Sequence, residues 1–192
     1  MQRNKPEANA AAAKKPDLAK QKLSTDKKIS FEGRRKLDKL MRRTIDSDKE
    51  EKEVIGTVRR LLKLGAGPNA IEETVKWTQL MYAVNNKRMR VCELLIENGA
   101  DVNANSGGET PLTIAAAGGN SAMCALLLVN GADPYEKIKG RWIYEGKNSI
   151  EIAKLHKKEK TARFILSYAL EKLLGKEDSK LFLSRFAECV AR

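Results

Sequence analysis

Histidine is all but missing from this sequence: His156 is the single one in 192 residues. One imidazole excludes a multi-histidine metal site and leaves no histidine-containing catalytic triad to assemble. The three cysteines, Cys92, Cys124 and Cys189, form an odd set without CxxC spacing, so neither a disulfide framework nor a zinc site is indicated. Cys92 and Cys124 fall in apolar helical runs, where a thiol behaves as a small hydrophobe. This usage fits a reducing, cytoplasmic setting, with the nucleus or export without a cleavable signal as the alternatives. The longest apolar run, Met123 to Val129, is far below the roughly 20 residues that cross a bilayer. Ala8 to Ala13 is too short and too lysine-flanked for a secretion signal. A glycine-rich phosphate loop is also missing, since Gly118-Gly119 reads as a helix-linking turn. The expectation is a protein that is not an enzyme and uses no cofactor and no metal.

What the chain has in quantity is positive charge. Lys and Arg number 37 against 25 Asp and Glu, a net +12, which favours acidic partners. Counting through Glu53 gives 16 basic and 10 acidic residues, residues 106–135 give none and 2, and residues 136–192 give 14 and 8. Positive charge therefore sits at both ends around a near-neutral middle. Residues 1–30 have almost no large apolar side chain to offset the entropy of ordering, so they read as a disordered basic tail.

The strongest signal is internal. Thr78 to Asp101 lies over Thr110 to Asp133 without a gap, 32 residues apart, and both read as helix, turn, helix, Gly-Ala-Asp. Thr78 and Thr110 suit N-caps, and Pro111 falls at the first helical position, where its missing N–H costs nothing. Leu80, Ala83 and Val84, like Leu112, Ala115 and Ala116, share one helical face; Val91, Leu94 and Leu95, or Met123, Leu126 and Leu127, line the next helix. Gly99 and Gly131 follow those helices where a left-handed cap needs glycine. Leu61 to Ala70 repeats the end of the unit and Asn148 to Ala153 its beginning. Such a helix pair cannot enclose its own core, so neighbours must stack.

Thr110-Pro111-Leu112-Thr113-Ile114-Ala115 and Gly99-Ala100-Asp101-Val102-Asn103-Ala104 resemble the opening and closing motifs of the ankyrin repeat, whose period is near 33. The resemblance covers roughly residues 54–170, with two well-matched units between two degenerate ones. It implies an all-α ankyrin-repeat solenoid of about four helix pairs linked by hairpin-like loops. Residues 31–174 form the array, and residues 175–192 form a C-terminal capping helix through Leu181, Leu183, Phe186 and Val190. N-terminal capping helices supply Leu37, Leu40 and Met41, then Val54, Val58, Leu61 and Leu62. Three departures stand out. The family's Gly-His turn is replaced by Lys87-Arg88, Gly119-Asn120 and Lys157-Lys158, so the first and third turns are expected to be wider, because a left-handed non-glycine costs on the order of 1 kcal/mol. The motif histidine is replaced by Met81, Thr113 and Glu151, which removes its hydrogen bond. Six extra residues lengthen the loop between Gly131 and Asn148, which has 17 steps against 11 between Gly99 and Thr110.

The function implied by the resemblance is a non-catalytic adaptor that recognises a partner protein through hairpin tips and a concave groove, acting as a monomer. Positive charge suits an acidic partner. Trp77 and Glu109, like Lys147, fall where the family exposes residues at the groove's edge, although Trp77 also has Val75 and the cap to fold onto. Asn85 and Asn86 end a first helix, at sites that line the concave face in the family or simply solvate a helix end. In the long loop Arg141, Trp142 and Tyr144 face a partner, or the two aromatics cover the C-terminal cap. Leu95 to Asn103 resembles an asparagine-hydroxylation pattern, against a plain turn role for Asn103. The alternative function is electrostatic binding of nucleic acid or an acidic membrane through the Lys/Arg-rich tail and the run from Arg34 to Arg43. No aromatics alternate with those lysines, so nucleic acid would bind there non-specifically.

Overall fold

The computed structural model describes residues 29–140 and 144–173. They form eight helices in four antiparallel pairs: α1 (Phe31–Ile45) with α2 (Glu51–Lys63), α3 (Gln79–Asn85) with α4 (Met89–Glu97), α5 (Pro111–Ala117) with α6 (Ser121–Val129), and α7 (Ser149–Leu155) with α8 (Glu159–Leu173). Extended structure among the described residues is confined to two isolated bridges, Ile71 with Thr78 and Ser106 with Glu109. The fold is the all-α solenoid that the repeat requires. The expected tail and the C-terminal capping helix lie outside the described residues, apart from Ile29 and Ser30, and the Ser30 hydroxyl caps α1 by accepting from the Gly33 amide at 3.1 Å.

The first helices of the pairs stack in an unbroken row, α1 on α3 on α5 on α7. In the outer row α2 packs closely on α4 and α6 on α8, while α4 and α6 approach less closely. One apolar core runs the length of the stack, from Met41, Ile45, Val54 and Val58 through Leu80, Val91 and Leu95 to Leu112, Met123, Leu127 and Ile165. Leu40 does not join it: the side chain is 49% exposed, and Ile45 at the end of α1 takes the buried place expected for it. Buried Cys92 and Cys124 behave as core hydrophobes, and burial pushes both thiols up, Cys124 to about 12.

The three departures from the family pattern resolve locally. Each residue standing for the histidine accepts a hydrogen bond from the amide of its own N-cap: Met81 Sδ from Thr78 at 3.5 Å, Thr113 Oγ1 from Thr110 at 2.8 Å, and Glu151 Oε2 from Asn148 at 2.9 Å. The N-cap side chains answer by accepting from the third helical amide, so all three helices begin with a closed capping box. The expected loss of that hydrogen bond is thereby corrected; thioether, hydroxyl and carboxylate all reach the same donor. Nor are the first and third turns wider. Lys87 at φ 57° and Lys157 at φ 58° adopt the left-handed conformation of Gly119 at φ 71°. The amides around all three turns bond to the same carbonyls in the preceding helix: Arg88 to Ala83 at 2.9 Å, Asn120 to Ala115 at 3.1 Å and Lys158 to Ala153 at 2.8 Å. The backbone bond that closes each turn holds two lysines in a conformation their Cβ atoms disfavour.

The long loop is pinned by Ile138, which is buried and whose amide donates to the Lys147 carbonyl at 3.0 Å. Ser149, also buried, donates its hydroxyl to the Pro134 carbonyl at 2.9 Å.

Candidate partner-binding face

The hairpins build this face from the backbone outward. In the first, the Glu72 amide donates to the Trp77 carbonyl at 2.9 Å, and Glu72 Oε2 accepts from the Val75 and Thr74 amides at 2.6 and 3.0 Å. Those two amides hold the Glu72 carboxyl below its ordinary range. In the second, Ser106 and Glu109 exchange backbone hydrogen bonds at 3.0 and 3.2 Å.

The two tips are locked together. The Trp77 indole N–H donates to Glu109 Oε2 at 2.9 Å, and the Ser106 hydroxyl donates to the Lys76 carbonyl. Gly107, at φ 63°, lets the strands of this contact close: a Cβ there would stand 2.5 Å from the Val75 carbonyl oxygen. Trp77 also meets Tyr82 edge to face, with ring centroids 5.4 Å apart. Glu109 is only 9% exposed, which corrects the expectation that it stands open at the groove's edge. Trp77 is half-buried against the core, and its indole is committed to Glu109.

The other candidates are dispersed. Asn85 is exposed at the end of α3, but Asn86 donates to the Ile45 carbonyl at 3.2 Å and to Asp46 Oδ1 at 3.0 Å, which ties α3 to the end of α1. Tyr144 lies in a turn, its hydroxyl 2.9 Å from His156 Nε2 and its ring tilted against the imidazole, so it folds toward α7. Arg141 and Trp142 lie outside the described residues. Asn103 is spent on the next repeat: its amide donates to the Gly131 carbonyl at 2.9 Å and its oxygen accepts from the Asp133 amide at 2.8 Å. Asn69 makes the equivalent pair with Gly99 and Asp101 at 2.9 and 2.7 Å. Replacing Asn103 with alanine removes both bonds of one bridge and is expected to lower stability by about 1 to 2 kcal/mol, measured as a lower urea midpoint; Asn103→Asp keeps the acceptor alone and recovers part of the loss.

Lys39 and Arg42, from the basic run Arg34 to Arg43, line a cleft of 390 Å³ between α1 and the first hairpin together with Ile71, Glu72 and Gln79, which the sequence reading did not select. Arg42 sits with its guanidinium carbon 5.8 Å from the centre of the Tyr82 ring. Burial, helped by Glu72, pushes the Tyr82 phenol above its ordinary value, and nearby Arg42 opposes that rise. Arg35, Lys39 and Arg42 recur at helical intervals within the run offered above for electrostatic binding, but nothing local in the sequence places Ile71, Glu72 and Gln79 beside them.

Comparison with known proteins agrees with this geometry. Residues 51–138 match the family profile described as ankyrin repeats, in three copies. Residues 51–138 are ankyrin repeats. An ankyrin repeat protein of Rickettsia felis is 34% identical over 105 residues, a match that covers 48% of this chain. The chain spans about half the length of that relative, 46% of it. Ankyrin repeats generally mediate protein–protein interaction and as a family are typically non-catalytic. Among the described residues no helix is long and apolar enough to cross a membrane, and no group of His, Cys, Asp and Glu is placed to hold a metal ion.

Proposed function

We propose that the array is a non-catalytic protein-binding module that recognises one partner through its hairpin tips and the ends of its first helices. The observation that carries this reading is the locked pair of tips. The Trp77–Glu109 bond holds the first hairpin rigid while Ile71 and Val75 on it stay 55% and 48% exposed. A preorganised tip with apolar side chains facing out loses little entropy when a partner covers it. Trp77 and Glu109 then act from beneath the contact surface, and Asn85, Asn86 and Tyr144 are proposed as further contacts elsewhere along the array. From their place in the sequence, Arg141 and Trp142 are proposed to contact the same partner.

The test is a pull-down from a lysate of the source cells with the full chain and with a Val75→Asp, Asn85→Arg variant, in about 50 and about 200 mM salt. Both replaced side chains are exposed, so the fold is retained. A protein held by the parent at both salts and depleted at least tenfold by the variant is the expected result. Nucleic acid or a mixed acidic set, held equally by both chains and released by salt, would transfer the function to the basic segments.

A further inference from the structure

We infer that the outward side of α8 is a docking surface for the chain's own residues 178–191, which lie antiparallel along it with Phe182 on Leu170 and Phe186 on Leu166. The docking closes the end of the stack and leaves the hairpin tips to the partner. Repeat register supplies the first argument. The Asn120 and Lys158 amides make the same turn bond, to Ala115 and Ala153, so Lys158 aligns with Asn120 and Leu166 with Leu128. Leu128 is 1% exposed, and its carbonyl accepts the Tyr168 hydroxyl at 2.9 Å, so α8 lies against it. Leu166 and Leu170, two residues to either side of Tyr168, stand about 200° around the helix from it, on the side turned away from α6. There Leu166 is 39% exposed. Helix α8 has 15 residues against 9 in α6, and its added turns carry exposed Leu170 and Leu173, which continue the stripe at the i+4 and i+7 positions.

The sequence that follows supplies the second argument. Leu174-Gly175-Lys176-Glu177 is a link as short as those inside the four pairs, which hold three to five residues, so the segment after it returns alongside α8. Asp178 suits an N-cap, and Phe182, Leu183, Phe186 and Val190 share one face at helical spacing. Counted outward from the link, Phe182 comes opposite Leu170, Phe186 opposite Leu166 and Cys189 opposite Arg163, while Leu173 stays at the link opposite Ser179.

Size and tethering disfavour other occupants. Three leucines on one helix supply a small part of the roughly 800 Å² that each copy buries in a stable dimer. A segment held by so short a link is present at an effective concentration on the order of millimolar, which a second copy or a separate protein has to outcompete.

Disulfide trapping in the full chain tests the assignment. Arg163→Cys, at an exposed position, puts a thiol opposite Cys189, and the other two cysteines, Cys92 and Cys124, are buried. With oxidised glutathione the expected product is a bridge between positions 163 and 189 of one chain, seen as a faster-migrating monomer on a non-reducing gel and located by a tryptic map. Adding Phe186→Asp is expected to slow it at least tenfold, and Glu97→Cys, exposed on α4, is expected to bridge to Cys189 at least tenfold more slowly. A bridge joining two chains gives the surface to a second copy, and Arg163→Cys bridging no faster than Glu97→Cys, or not at all, leaves the segment undocked; each overturns the inference. Hydrogen exchange of the unsubstituted chain gives a second reading: amides of residues 183–190 are expected to exchange at least tenfold more slowly than those of residues 2–28, and Leu170→Asp, at an exposed site, to erase the difference. Equal exchange in the unsubstituted chain also overturns the docking. The Val75→Asp, Asn85→Arg pair is expected to leave the bridging rate unchanged, so this inference and the partner-binding face fail separately.

Discussion

Leu95→Ala is expected to destabilise the array by about 3 kcal/mol, read as a fall in the urea midpoint of the helical circular dichroism signal. Leu95 is fully buried on α4, where it joins the core shared with α2 and α3. Its carbonyl accepts the Ala100 amide at 2.9 Å, which fixes the backbone at the left-handed turn through Gly99. The site therefore collapses poorly around a smaller side chain, and the cavity adds to the lost transfer energy. Leu127, its counterpart 32 residues on, is equally buried on α6, and Leu127→Ala is expected to cost a similar amount. Leu173→Ala, at a 71% exposed position ending α8, stays within about 0.5 kcal/mol and serves as the control. A loss below 1 kcal/mol at both buried sites would sink the claim of one continuous, tightly packed core.

Arg88→Ala carries the second large effect, about 2 kcal/mol, through the junction with the first helix pair. Arg88 replaces a residue of the family's inter-helix turn, and its guanidinium donates to three carbonyls: Nε to Ile45 at 2.9 Å, Nη1 to Lys49 at 3.1 Å, and Nη2 to Ser47. These acceptors lie at the end of α1 and in the turn before α2, where carbonyls have no intrahelical partner. One planar fork satisfies all three. Lysine presents a single ammonium without that geometry, so Arg88→Lys is expected to recover less than half of the loss. Hydrogen exchange distinguishes a local from a global effect: amides of α1 and α2 lose protection before those of α5 and α6. Uniform loss of protection along the chain would contradict a junction-specific role.

Much of this architecture was legible because the repeat carries its own landmarks. Thr78, Thr110 and Asn148 cap helices, and Gly99 and Gly131 adopt positive φ, as their spacing requires. What the sequence concealed depends on contacts between units. Glu109 is buried and accepts the indole N–H of Trp77, 32 residues earlier, and neither residue's neighbours in sequence announce the pairing. Lys87 and Lys157 looked unsuited to a tight turn, since propensity weighs a residue alone, whereas the bonds from the Arg88 and Lys158 amides back to Ala83 and Ala153 close the turn around them. Leu40 matched the helical stripe of α1 yet faces solvent, because the stripe on a terminal helix has a neighbour on one side only. The cleft was hidden for the same reason: Lys39 and Arg42 come from α1, Ile71 and Glu72 from a hairpin some thirty residues on.

The closer packing of α2 on α4 and of α6 on α8, against the looser approach of α4 to α6, divides the outer row into two blocks over an unbroken inner row. The Asn103 bridge to Gly131 and Asp133 spans the same junction, so the two blocks are joined there by side-chain bonds to the backbone as well as by the inner row.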